Sequence, residues 1–254
     1  MSDETPLAGL RVLVTRPTHQ ADPLCKLIER AGGEAIRLPL LSIEPIAPAQ
    51  ATRQLELARA FDWWIFTSAN AVRQARAIDV GAWPPGLAAV GPATAAALES
   101  ASGAQVLAPL QGASSEALLA RPELAALSGK RVLIVTGADG LDTLATELEA
   151  RGATVVTAPV YHRVPLPHAP EAIESALKRA KAIVVTSGQA LEHLWNLTPE
   201  TLRPALRKKQ LVAPSERVVE MAGNFQFAAR ALAPEQMSDA SIVHCLESWW
   251  KQNP

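Results

Sequence analysis

Six places in this chain join a run of apolar residues to a short polar turn: Thr15-Arg16, Thr67-Ser68, Pro92-Ala93-Thr94, Gly137-Ala138, Thr186-Ser187 and Pro214-Ser215. Residues of this kind suit the start of a helix. There the first backbone N–H groups lack intrahelical partners and the helix dipole adds partial positive charge. The chemistry on offer is the holding of anions, carboxylate or phosphate. Taken singly, each turn is equally an ordinary N-cap, a place where Ser and Thr are favoured for stability alone. Six of them at the strand ends of parallel sheets form an array suited to a ligand with several anionic groups. The candidate ligand-binding residues are therefore Arg16, Thr67, Ser68, Ala69, Thr94, Gly137, Thr186, Ser187, Gly188 and Ser215, with Arg217 a further candidate cation.

Tyr161, the only tyrosine, is the candidate catalytic residue. It lies in an extended stretch with prolines at intervals, where a phenol either donates a proton to a leaving oxygen or props a hinge. Other chemistries find no support. Neither G-x-x-x-x-G-K-[ST] nor G-x-G-x-x-G occurs, so no common nucleotide loop is present. No G-x-S-x-G elbow occurs either. The five histidines show no metal spacing, and the two cysteines, Cys25 and Cys245, read as small core residues. No metal or cofactor is expected.

The elements that must position these residues follow from periodicity. Near-continuous apolar runs such as Val12-Leu13-Val14, Trp64-Ile65-Phe66 and Val132-Leu133-Ile134-Val135 alternate with helical patterns such as Leu24, Leu27, Ile28 and Ala31. Strands apolar on both sides belong to parallel sheets covered by helices on both faces. The halves echo each other: Arg11-Val12-Leu13-Val14, Ile65-Phe66-Thr67-Ser68 and Val90-Gly91-Pro92 recur as Arg131-Val132-Leu133-Ile134, Val184-Val185-Thr186-Ser187 and Val212-Ala213-Pro214, at offsets of 120, 119 and 122 residues. A duplicated unit is the economical reading. Two extended stretches, near residues 37–46 and 158–166, break the alternation and carry prolines suited to an exposed edge. The expected fold is α/β: two similar flavodoxin-like, doubly wound parallel-sheet domains joined by a two-stranded antiparallel ribbon. Residues 1–38 with 167–254 form domain 1, residues 39–46 and 159–166 the ribbon, and residues 47–158 domain 2, with the working site expected in the cleft between the domains.

Bulk composition agrees. Hydrophobic residues make up 48% and charged residues 19%, which allows two packed cores. A formal charge of −1 gives no general attraction to nucleic acid or anionic lipid. The N-terminal residues lack the pattern of a signal peptide, and no apolar run approaches the roughly 20 residues that span a bilayer. A cytoplasmic monomer acting on a small molecule is expected.

With these residues laid out, the chain resembles the uroporphyrinogen-III synthase family over essentially its full length. The carriers are Val12-Leu13-Val14-Thr15-Arg16-Pro17, Ile65-Phe66-Thr67-Ser68-Ala69-Asn70, Val90-Gly91-Pro92-Ala93-Thr94, Val160-Tyr161, Val185-Thr186-Ser187 and Pro214-Ser215-Glu216-Arg217-Val218. The resemblance implies two α/β domains joined by a ribbon and a cofactor-free, cyclising loss of water. Linear hydroxymethylbilane, a tetrapyrrole with eight carboxylates, closes to uroporphyrinogen III with inversion of its last ring. Tyr161 occupies the family's tyrosine position. The chain departs from many relatives at Gly140-Leu141-Asp142, where they carry glycine then arginine. A competing expectation is a non-catalytic two-domain module that binds or senses a polyanion.

Overall fold

The computed structural model describes residues 5–78, 83–140, 143–234 and 238–253. The chain divides at Ser42/Ile43 and at Arg163/Val164. Its first and last parts make one discontinuous unit, and Ile43–Arg163 makes the other. The discontinuous unit opens with β1 (Arg11–Val14), α1 (Thr18–Arg30) and β2 (Glu34–Arg37), and β3 (Leu41–Pro45) spans the first junction. The continuous unit holds α2 (Pro48–Leu57), β4 (Trp63–Phe66), α3 (Ala69–Ala77), β5 (Gly86–Ala89), α4 (Pro92–Ser102), α5 (Ser115–Leu119), β6 (Arg131–Gly137), α6 (Thr143–Ala150) and most of β7 (Thr154–Pro165). The discontinuous unit resumes with α7 (Pro170–Arg179), β8 (Ala182–Val184), α8 (Gly188–Leu197), α9 (Arg203–Arg207), β9 (Gln210–Val212), α10 (Glu216–Asn224) and α11 (Asp239–Trp250).

The sheet of the discontinuous unit runs β2-β1-β8-β9, parallel throughout. Alternation along β1 explains how both faces are covered. Val12 and Val14 pack with Leu24 and Ile28 of α1 and Ile242 and Leu246 of α11. Leu13 packs on the opposite side, with Ile173 of α7, Leu191 of α8 and Val218 of α10. The second sheet runs β3-β7-β6-β4-β5, and its β7-β6-β4-β5 part is parallel. Phe66, Trp64 and Val135 face α2, α3 and α4, whereas Ile65, Val132 and Ile134 face α5 and α6.

The echo in sequence is an echo in space. Mapping β1, β2, β8 and β9 onto β6, β7, β4 and β5 turns the order β2-β1-β8-β9 into β7-β6-β4-β5. Even the edge contact repeats, since Ala89 donates to Leu107 O at 2.9 Å and Ala213 to Leu232 O at 2.8 Å.

The extended stretches pair as β3 beside β7 at the edge of the second sheet, with part of their surface buried. The later one is the continuation of a 12-residue strand, β7, whose first part lies in the parallel ladder with β6. Beside it, the Ile46 N–H donates to Val160 O at 3.1 Å and the Leu166 N–H to Leu40 O at 2.9 Å. Leu40, Leu41, Val160 and Tyr161 are buried. Leu40 and Leu41 belong to the core of the discontinuous unit, and Val160 and Tyr161 to that of the other. Their apolar surface is worth more inside than on an edge.

Candidate active site

In the continuous unit the candidate residues converge at the C-terminal ends of β4 and β6. Beyond β4, the Thr67 N–H donates to Val135 O at 3.1 Å, and the Thr67 hydroxyl donates to Thr136 Oγ1 at 2.8 Å. Ser68, extended at φ −160° and ψ 156°, is the N-cap of α3, and its Oγ accepts from the Ala71 N–H at 3.1 Å. The Ala69 N–H, at the first helical position, has no intrahelical acceptor available to it.

Tyr161 reaches this place through an irregularity. β6 and β7 pair in register as far as Thr136 with Pro159, after which Gly137 pairs with Tyr161. The extra residue, Val160, is a β-bulge, and a bulge turns the following side chains over. Without it Tyr161 would share the face of Thr157 and Pro159; with it, Tyr161 joins Ala158 and Val160 in the same core. The ring is only 1% exposed. Its hydroxyl lies 3.1 Å from Ser68 Oγ and accepts from Arg163 Nη2 at 3.3 Å. The Arg163 guanidinium also stands 5.7 Å from the ring centroid.

Gly137 is where the ring needs space. A Cβ there would lie 2.7 Å from Tyr161 Cζ. The sequence reading placed Gly137 at a helix start, but it is the last residue of β6, and α6 begins at Thr143. The local backbone explains the difference: Ala138 N–H continues the strand pairing by donating to Tyr161 O at 2.8 Å, and Gly140 N–H closes a turn onto Gly137 O at 3.0 Å. A cavity of about 100 Å³ is lined by Thr67, Thr136, Gly137, Ala138, Thr157 and Pro159, among others. Thr94 is the buried third residue of α4, whose N-cap is Gly91. Its hydroxyl is therefore not at the cap position. Leu141 and Asp142, where the chain departs from many relatives, lie outside the described residues.

The discontinuous unit repeats the serine cap. Ser187, at φ −161° and ψ 158°, accepts from the Ala190 N–H at 3.1 Å. Thr186 precedes it, half-buried, and Gly188 begins α8, its Cα facing Met221 of α10. Ser215 caps α10 at φ −164° and ψ 162°, with no side-chain cap bond. Arg217 is exposed on α10.

The turn after β1 is built differently from the expected helix cap. Pro17 is the N-cap of α1, and the buried Thr15 hydroxyl donates to Val184 O at 2.8 Å, tying β1 to β8. Arg16 donates through Nη1 to Asp239, the first residue of α11. Thr15→Val is accordingly expected to lower stability by about 1 kcal/mol, the worth of one neutral hydrogen bond. Urea unfolding measures this, and an unchanged midpoint would show the bond to be idle.

Arg163 and Thr136 are the partners that sequence reasoning missed. Arg163 was legible in principle, since residues two apart on a strand share a face and Arg163 follows Tyr161 by two. His168 and His193 lie 2.7 and 2.8 Å from the carbonyl oxygens of Pro39 and Leu166, which makes them structural donors. Burial pushes the thiols of Cys25 and Cys245 up, away from the reactive thiolate. Among the described residues, no cluster of His, Cys, Asp or Glu is arranged as a metal site, and no helix is long and apolar enough to cross a membrane. A cavity of about 540 Å³ opens beside Trp63 and Gly86, at the starts of β4 and β5. That is the opposite strand end from Ser68 and Gly137, and open parallel sheets bind ligands at the C-terminal ends.

Comparison with known proteins places this geometry. The sequence profile described as uroporphyrinogen-III synthase HemD matches residues 22–243. The uroporphyrinogen-III synthase of Escherichia coli K12 is 32% identical over 242 residues, covering 92% of this chain and 98% of that protein. The Salmonella typhimurium enzyme of that name is 35% identical, with the same coverage. Among solved structures, a mutant uroporphyrinogen III synthase from the extreme thermophile Thermus thermophilus superposes with a TM-score of 0.62 at 20% identity, covering 96% of this chain and 100% of that one. The synthetase from Helicobacter pylori 26695 gives 0.59 at 14% identity, with the same coverage. These two likenesses establish the α/β fold, and the closer sequence relatives establish descent: the chain belongs to the uroporphyrinogen-III synthase family.

Proposed function

We propose that this protein closes linear hydroxymethylbilane to uroporphyrinogen III, inverting the last pyrrole ring and releasing water. The observation that carries the reading is membership of the family, with relatives 32% and 35% identical over 92% of the chain. The local geometry fits the substrate. Eight carboxylates need several anion-binding points, and Ser68 and Ser187 mark equivalent helix starts in the two units.

The proposed binding residues are Arg16, Thr67, Ser68, Ala69, Thr94, Gly137, Thr186, Ser187, Gly188 and Ser215, with Tyr161 supplying proton chemistry. Positioning is the larger part of the work. The free substrate closes unaided to the uninverted isomer, so the enzyme must hold the chain with the substituted carbon of the last ring placed to attack first, through a spiro intermediate. Fixed backbone amides hold carboxylates without reorganising during the reaction. We further read residues 39–46 and 159–166 as the linker between domain 1 (1–38 with 167–254) and domain 2 (47–158). The protein is proposed to act as a cytoplasmic monomer without metal or cofactor.

The test is to offer hydroxymethylbilane to the purified chain, with chelator present, and to separate isomers III and I. Isomer III is the expected product. Isomer I alone, at the uncatalysed rate and with tight binding of the substrate, would identify a polyanion-binding module instead.

A further inference from the structure

We infer that Ser68 is the group that hands a proton to the substrate's departing hydroxyl, and that Tyr161 and Arg163 act through it as positioning residues. The inference rests on the reaction assigned above. It follows from the directions in which the hydrogen bonds around Tyr161 must run.

A guanidinium has donors and no acceptor, so Arg163 Nη2 donates to the Tyr161 oxygen at 3.3 Å. The Ala71 N–H likewise only donates, into Ser68 Oγ at 3.1 Å. The contact between Ser68 Oγ and the Tyr161 hydroxyl, also 3.1 Å, permits either donor on distance alone. Burial decides it. Tyr161 is 1% exposed, so its proton needs a protein acceptor. Of the two side chains bonded to the phenol, only Ser68 accepts. The phenol therefore donates to Ser68. Ser68 Oγ then accepts twice, and its own proton is left to point away from both partners, from a half-buried side chain at the C-terminal end of β4.

The three groups form a series in which every donor points outward from a fixed cation. Such chains polarise one another, so the last hydroxyl is a better donor than an isolated serine. Ser187 is the equivalent cap in the other unit, and its Oγ accepts from Ala190 at the same 3.1 Å. It has no phenol behind it, because the chain has one tyrosine. As the substrate's C–O bond breaks, its electron pair leaves with the oxygen, which takes the Ser68 proton and departs as water. The Tyr161 proton moves to Ser68, and the phenolate is held by Arg163. The proton released when the closed ring regains its pyrrole form restores the phenol.

The test is a double-mutant cycle on the full chain, following kcat, KM and isomer III formation for Ser68→Gly, Tyr161→Phe and the pair. Glycine is nearly as good an N-cap as serine, so the start of α3 survives. Ser68→Gly is expected to lower kcat about tenfold with little change in KM, and Tyr161→Phe about fivefold, losses on the scale of one or two hydrogen bonds. The double variant should match Ser68→Gly alone, because a phenol that acts through Ser68 has nothing to add once the hydroxyl is gone. Arg163→Met should slow the parent like Tyr161→Phe and cost nothing further in the Tyr161→Phe background. Ser68→Thr, which restores the hydroxyl, should recover the rate. Losses that multiply in the double variant would mean that Tyr161 reaches the substrate itself, and a slow Ser68→Thr would mean that the hydroxyl is not the donor; either overturns the inference. A parent chain that makes only isomer I would instead overturn the reaction and this inference together.

Discussion

Ala69→Pro is expected to weaken binding of the tetrapyrrole product about 10- to 100-fold while leaving the fold in place. The variant removes one backbone N–H and little else. Ala69 is the first residue of α3, the position at which proline is best tolerated in a helix. The residue before it, Ser68, already has the extended backbone that a following proline demands. The cap bond runs from Ala71 to Ser68 and does not involve the Ala69 amide. On the proposed reading, what is lost is a backbone donor for a substrate carboxylate. A hydrogen bond to a charged group contributes about 1.5–3 kcal/mol, which is the stated range in affinity. Ala69→Gly, which keeps the N–H, is the companion variant and should bind within a few-fold of the parent. Titration with product at matched thermal stability checks the comparison, and weakening by added salt should accompany binding in the parent. If Ala69→Pro binds as tightly as Ala69→Gly, side chains rather than amides hold the carboxylates. Gly188→Pro is the same experiment in the other unit, but it needs Gly188→Ala beside it. A Cβ at Gly188 meets Met221 Cε at 3.1 Å, so packing changes there too.

Gly137→Ala is expected to cost about 1–3 kcal/mol of stability and at least as much activity as Tyr161→Phe. The added methyl would stand 2.7 Å from Tyr161 Cζ and 2.9 Å from Cε2, well inside contact distance. A flexible side chain would step aside, but this one is a rigid ring, fully buried in the core with Val135, Ala158 and Val160. The ring must tilt or the bulge must open, and either movement breaks the 3.1 Å approach to Ser68. Near-parent stability and near-parent kcat together would show that the ring has room the packing does not reveal. Stability alone recovering, in Gly137→Ala with Tyr161→Phe, would not distinguish steric relief of the ring from relief of its hydroxyl. The useful second partner is therefore Tyr161→Leu, which removes the ring and should remove most of the stability penalty of Gly137→Ala.

Much of this molecule was legible in the residues themselves. Strands buried on both faces must be apolar throughout, so Val12–Val14, Trp64–Phe66 and Val132–Val135 announced parallel sheets without any partner being known. The 119-to-122-residue echo held in space because each repeat carries its own strand, cap and helix, all set by local spacing. Ser68 and Ser187 were readable for the same reason, since a cap bond spans three residues.

Tertiary structure decided what depends on residues far apart in the chain. Thr15 looked like a cap and instead ties two strands together, because its partner, Val184, lies 169 residues away. Gly137 looked like the start of a helix and is instead the end of β6, where it makes room for Tyr161, a contact created by the bulge at Val160. A one-residue slip in pairing reverses which face a side chain occupies, and nothing in the residue types near Tyr161 marks that slip. The sequence alone determined that this protein has one phenol, in an extended stretch, and serines that begin helices. That the phenol is buried, backed by Arg163 and set against Ser68 was decided only when folding brought together residues 93 positions apart, because register, burial and hydrogen-bond direction are properties of neighbours in space.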